Sequence, residues 1–119
     1  MNSTTIQLSQ IATARSGDKG NHANIGVVAY NRHGYEYLVQ QLTAQQVEQF
    51  FSSLGTQRVE RFELPKLGAL NFMLYDALAG GASRSLRIDT QGKLLGTSLL
   101  QMQLPAPEKL EEMLPQQET

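Results

Sequence analysis

The chain has 119 residues, 40% hydrophobic and 18% charged, with a formal net charge of -1 and a pI near 6.1. One domain with one core fits that length and composition, and the charge argues against a basic nucleic-acid footprint. With no cysteine, a disulfide framework, a thiol nucleophile and a cysteine-ligated metal are excluded. The opening MNSTTIQLSQ lacks the basic and apolar segments of a signal peptide, and no window approaches the roughly 18 apolar residues of a membrane span, so the expected location is the cytoplasm.

In chain order, Thr4–Ala14 reads as a strand with Ile6, Leu8 and Ile11 as its apolar positions and a break in phase suited to a bulge. The stretch SGDKGN is then expected as a loop. Ala23–Tyr30 (ANIGVVAY) is short, apolar and β-branched, as a central strand should be. Asn31–Gly34 reads as a turn, and Tyr35–Leu42 as a short helix. Thr43 and Gln46 form the sequence pattern of a capping box opening a second helix, whose apolar face is Val47, Phe50, Phe51 and Leu54 and whose cap is Gly55.

Gln57–Leu64 alternates and stops at Pro65, as a strand does. Leu67–Ala79 has Leu67, Leu70, Leu74 and Leu78 at helical spacing and is expected as a helix ended by Gly80-Gly81. Arg84–Asp89 and Leu94–Leu104 are expected as strands joined by the hairpin turn Thr90–Lys93. The resulting β-β-α-α-β-α-β-β order predicts an α+β fold: a two-layer sandwich, a mixed β-sheet with helices on one face, and parallel neighbours joined by crossovers. The domain is expected to span 1–104. Residues 105–119 form a tail that either frays or docks through Leu110, Met113 and Leu114.

Three stretches carry polar chemistry. In RSGDKGNHAN, Gly17 and Gly20 allow exposed backbone N–H groups, with Arg15 or Lys19 as a supplement. An anion cradle, an active site and a plain turn all fit. Asn21 and Asn24 bracket the following strand. Asp18 and His22 are the weak candidates for a general base, and His22 with His33 makes a poor metal set, so no metal and no cofactor is expected. In LPKLGALNF, Pro65 and Gly68 shape a tight bend, and Asn71 is polar within an apolar run, best explained by a structural hydrogen bond. In GGASRSLR, Gly80 and Gly81 permit close approach, and Ser83 and Arg84 stand at a strand entry where a guanidinium pairs with an anion or simply meets water.

Together, RSGDKGNHANIGV, ELPKLGALNF and GGASRSLRID resemble the small C-terminal domain of the AtuA (acyclic terpene utilisation) family over about Ile6–Leu104. The shared positions are Gly17, Asp18, Lys19, Gly20, Asn21, Asn24, Gly68, Ala69, Asn71, Phe72, Gly80, Gly81, Ser83 and Arg84. The resemblance implies a ferredoxin-like fold and a link to breakdown of acyclic terpenes and acyl-CoA compounds. In that family a larger domain precedes this one, so the chain resembles a stand-alone form. No catalytic residue is carried over. Three functions follow as expectations: an accessory protein binding a carboxylate or acyl-CoA ligand, or a larger AtuA-family partner; a small enzyme on an acyl or hydroxyacyl substrate; and an oligomerisation module. A homo-oligomer is expected whichever of the three holds.

Overall fold

A computed structural model of the chain describes residues 5–19, 22–52, 58–76 and 94–115. Its core is a four-stranded sheet made of β2 (Ala12–Lys19), β3 (His22–Ala29), β4 (Arg58–Leu64) and β5 (Ala69–Tyr75) in the order β2-β3-β5-β4. Every neighbouring pair is antiparallel. A separate two-stranded ribbon joins β1 (Thr5–Gln7) to β6 (Gln103–Pro105). Helices α1 (Arg32–Gln41) and α2 (Ala44–Phe50) connect β3 to β4, and α3 (Leu94–Leu99) lies against β2 and β3. No described helix is long and apolar enough to cross a membrane.

The parallel neighbours expected from the crossovers are absent from the described pairings. β3 and β4 do run parallel, but β5 is inserted between them and hydrogen-bonds to both. This is the split β-α-β arrangement of ferredoxin-like sheets. The strand that completes such a sheet beside β3 is here β2, which precedes the unit in sequence. The order is therefore a circular permutation of the plain β-α-β-β-α-β pattern, and the α+β sandwich with its helices on one face stands.

Alternation explains which face is buried. Successive strand residues point to opposite sides of a sheet. Ala23, Ile25, Val27 and Ala29 of β3 are buried, as are Leu70, Phe72 and Leu74 of β5. They meet Leu38 and Leu42 of α1 and its C-terminus, Val47 of α2, and Leu95 and Leu99 of α3 in one core. The ribbon closes one side of it with Ile6 and Leu104.

Two expected elements are corrected. Leu67–Ala79 is no helix: Pro65–Leu67 forms a 3-10 turn, Gly68 turns at φ 62, and Ala69–Tyr75 is a strand. Leu70, Phe72 and Leu74 fit period 2 as well as Leu67, Leu70 and Leu74 fit a helix, and two flanking strands decide the outcome by offering ladders on both edges. Leu94–Leu104 is no single strand: Leu94–Leu99 is helical, and only Gln103–Pro105 pairs. Gly96 allows that helix to lie close. A Cβ there would come within 3.2 Å of Ser16 Oγ and 3.3 Å of the Arg15 and Ser16 backbone, while Gly96 N–H donates to Ser16 Oγ at 2.9 Å.

Smaller corrections follow the same logic. The phase break before Ile11 is a 3-10 turn, Leu8–Gln10. Asn31 caps α1 by accepting from Gly34 N–H at 2.9 Å, so most of the expected turn is already the first turn of the helix. The Thr43–Gln46 capping box forms as its sequence pattern predicts. At the other end of α1, the Arg61 guanidinium donates to Val39 O and Leu42 O at 3.0 and 2.9 Å, satisfying carbonyls that a helix end leaves open. The tail packs rather than frays up to residue 115. Leu110, Met113 and Leu114 lie against the core, Asn31 Nδ2 donates to Leu114 O at 3.2 Å, and the Tyr37 hydroxyl donates to Pro105 O. Gly55, the strand Arg84–Asp89 and the turn Thr90–Lys93 lie outside the described residues.

Candidate functional site

The face of the sheet turned away from the helices carries the polar residues. Register sets them out in rows across the strands. One row is Arg15, Gly26, Asn71 and Phe62; the next is Gly17, Asn24, Met73 and Glu60; a third brings Tyr75 beside Arg58. The two glycines matter here because they leave the sheet bare between long neighbours. A Cβ at Gly17 would meet Asn24 Oδ1 at 3.4 Å, and one at Gly26 would meet Asn71 Oδ1 at 3.9 Å.

Asn24 Nδ2 donates to Asn71 Oδ1 at 3.4 Å, linking β3 to β5. This is the structural hydrogen bond expected of Asn71. It occupies the Asn71 oxygen and leaves its Nδ2 donors without a partner among the described residues. Arg15 is exposed and forms no ion pair among them. Gly26 thus forms a bare floor, with the exposed Arg15 on one side and the Asn71 carboxamide, its Oδ1 nearest the floor, on the other. Beyond Asn71, Phe62 offers an apolar ring, 44% exposed.

A second cluster holds the end of the sheet where β3 begins and β5 ends. His22 Nδ1 accepts from Asp76 N–H at 2.9 Å, and its ring stacks edge-on against Tyr75 with centroids 5.2 Å apart. The Tyr75 hydroxyl donates to Glu60 Oε1 at 2.7 Å, and Arg58 lies over the Tyr75 ring at 4.3 Å. The Tyr75 hydroxyl is the main cause pushing the Arg58 pKa up; partial desolvation opposes it and the Glu60 charge assists. Asp76 stands at φ 59, a left-handed backbone that aspartate tolerates better than most residues.

This geometry specifies the chemistry of His22. A neutral imidazole whose Nδ1 accepts a hydrogen bond carries its proton on Nε2. The free nitrogen is then a donor, which is opposite to what a general base requires.

The residues marked out by sequence divide into three groups. Gly17, Asn24 and Asn71 come together on the outer face. Asp18 and Lys19 continue β2 opposite Ala23 and His22, so the backbone of 17–19, expected within a loop, belongs to a ladder and not to an open cradle. Gly20, Asn21, Gly80, Gly81, Ser83 and Arg84 lie outside the described residues. His33 is not beside His22; its Nδ1 lies 3.7 Å from Glu112 in the tail. Among the described residues no three His, Asp or Glu side chains gather as a metal set. Sequence reasoning passed over Gly26, Tyr75 and the Arg58–Glu60 pair. The available signal was the alternation of Gln57–Leu64, which assigns Arg58, Glu60 and Phe62 to one face.

With the permuted ferredoxin-like sheet established, the comparison with known families is decisive: the model of the AtuA ferredoxin-like domain matches residues 6–105. The chain belongs to the AtuA ferredoxin-like domain family. No curated protein and no solved structure matches it. The AtuA match covers the four-stranded sheet, the three described helices and the ribbon from Ile6 on, so the Arg15–Gly26–Asn71 row lies wholly within the family domain.

Proposed function

We propose that this chain is a non-catalytic accessory domain that holds an anionic small molecule, a carboxylate or acyl-CoA type of ligand, on the outer face of its sheet. The observation that carries this is the row Arg15–Gly26–Asn71. Strands two apart in a sheet stand roughly 9–10 Å from each other. A carboxylate laid over Gly26 is then within reach of the Arg15 guanidinium, which binds such a group through paired, charge-assisted hydrogen bonds, and the Asn71 carboxamide bounds the floor on the other side. Phe62, next in the row, supports the carbon chain.

The setting comes from family membership. The role we infer, as the resemblance implies, is in acyl-CoA or acyclic terpene breakdown beside a larger AtuA-family protein, in the cytoplasm. The alternative of a small enzyme on an acyl substrate has less support, because His22 presents a donor and no acid–base pair faces the glycine floor among the described residues.

A thermal-shift screen tests this with CoA, branched and linear acyl-CoAs, their free acids and inorganic phosphate. A ligand specific for the folded state adds about 2.7 kcal/mol at a hundredfold excess over Kd, roughly ten degrees for a domain of this size. The expected result is a rise with a carboxylate-bearing compound that disappears in Arg15→Ala and shrinks in Asn71→Ala. A flat panel, or a rise unchanged in both variants, overturns the proposal.

A further inference from the structure

One corner of the outer face is apolar and uncovered. Val28 and Leu64 lie in one row, both paired to Ala69, and are 38% and 39% exposed. Phe62 is the next outward residue on β4. Leu67, on the adjoining 3-10 turn, is 69% exposed, and Tyr30, at the end of β3, is 44% exposed. Five large side chains of a small domain therefore gather at one end of the sheet. Exposed patches of this kind mark contact surfaces.

We propose that this corner is the two-fold interface between two copies of the chain. Area is the first argument. With roughly 200 Å² for a large side chain, these fractions leave roughly 470 Å² of surface on the five residues. A standard interface buries about 800 Å² per partner, of which about 56–65% is apolar. The corner supplies most of that apolar share, and its polar rim supplies the remainder.

Shape and charge argue for a second copy over an unrelated partner. A two-fold interface must be self-complementary, with each patch offering both projection and recess. Leu67 projects furthest, and beside it lies a dent of about 290 Å³ lined by Glu63, Leu64, Pro65, Lys66 and Leu67. The same segment thus carries knob and hole. It also carries both signs of charge. Lys66 has no ion pair among the described residues, and Glu63, which flanks the dent, is paired on one side only, with Arg61 at 3.0 Å. A two-fold arrangement seating Leu67 in the partner's dent brings Lys66 of each copy towards Glu63 of the other, adding a second cation to the carboxylate that Arg61 already holds, and does so twice.

The ligand floor adjoins this contact, since Phe62 belongs to both, but Leu67 and Lys66 lie on the 3-10 turn outside the Arg15–Gly26–Asn71 row. Variants at Leu67 and Lys66 disturb the contact without touching Arg15, Gly26 or Asn71. The two proposals therefore fail separately, one by mass and the other by ligand response.

Sedimentation equilibrium of the full chain over a wide concentration range provides the test. The wild type is expected to sediment at twice the 13.2 kDa chain mass at high concentration. Leu67→Asp is expected to sediment as a monomer with an unchanged circular-dichroism spectrum, since the side chain is mostly outside the core. Lys66→Glu, also exposed, is expected to raise the dimer Kd several-fold through loss of both charge pairs. A wild type that remains at 13.2 kDa throughout overturns the proposal. So does a Leu67→Asp variant that stays dimeric, because the contact would then lie elsewhere.

Discussion

On the inner face of the sheet, Ile25, Val27, Leu70, Phe72 and Leu74 are sealed beneath the helices; on the outer face the same strands carry Gly17, Asn24, Gly26 and Asn71. The backbone and the twofold alternation are shared, so the two faces differ only in side chains. The inner face is filled with branched and aromatic groups, the material of a close-packed core. The outer face places Gly17 on the edge strand and Gly26 inside the sheet, where glycine costs a strand stability and leaves nothing to pack. A sheet carrying that cost at its centre has a bare surface there for another molecule to approach.

The largest expected break in this comparison is a paired truncation. Phe72→Ala, at a fully buried position, should cost about 3–5 kcal/mol. Phe62→Ala, on the neighbouring strand but facing outward, should cost under about 1 kcal/mol. Urea unfolding of both variants reads the difference directly, and equal losses would mean that the outer face is packed as well.

Gly96→Ala sharpens the comparison on the helix side. In an exposed helix this change gains up to about 1 kcal/mol. Here the new methyl would press on the backbone of Arg15 and Ser16, which cannot swing aside as a side chain can. The expected net loss is about 1–2 kcal/mol in the same unfolding assay. A gain would show that α3 rides higher over β2 than the 2.9 Å bond to Ser16 indicates.

The smallest effect concerns the docked tail. Burial pushes the Tyr37 pKa above its ordinary 10.0, so folding favours the neutral phenol. Its contribution is fully present below pH 10 and is lost as pH rises through the raised value. Tyr37→Phe removes the bond to Pro105 O and should cost about 1 kcal/mol at neutral pH. Across an alkaline titration of stability, the gap between wild type and Tyr37→Phe should close. A gap that stays constant would show that the hydroxyl plays no part in holding the tail.

Much of the local structure was legible because it rests on neighbours in sequence. The Thr43–Gln46 box needs only four residues, and ANIGVVAY is apolar and β-branched whatever surrounds it. Leu67–Ala79 failed because Leu70, Phe72 and Leu74 satisfy both periods, and the choice was made by β3 and β4, strands distant in sequence. The same reason hid the permutation, which lies in strand order and not in any motif. At the site, Asn71 was legible as a hydrogen-bonding polar residue within an apolar run. Its partner Asn24 was legible as a polar strand residue, but their meeting was not, since 47 positions separate them. Gly26 was hidden inside the best strand prediction, where a lone glycine reads as a minor cost.

The β1–β6 ribbon has a consequence for timing. Its Thr5–Gln103 side-chain bond joins residues 98 positions apart, so closing the ribbon fixes nearly the whole chain as one loop. Such long-range closure forms slowly, because its entropy is lost before any contact repays it. During synthesis β2 and β3 can pair as soon as they emerge, whereas β1 must wait for Leu104. Until then Ile6 has no opposite strand. The newborn domain therefore passes through a stage in which its sheet is paired while one wall of its core is still open to water.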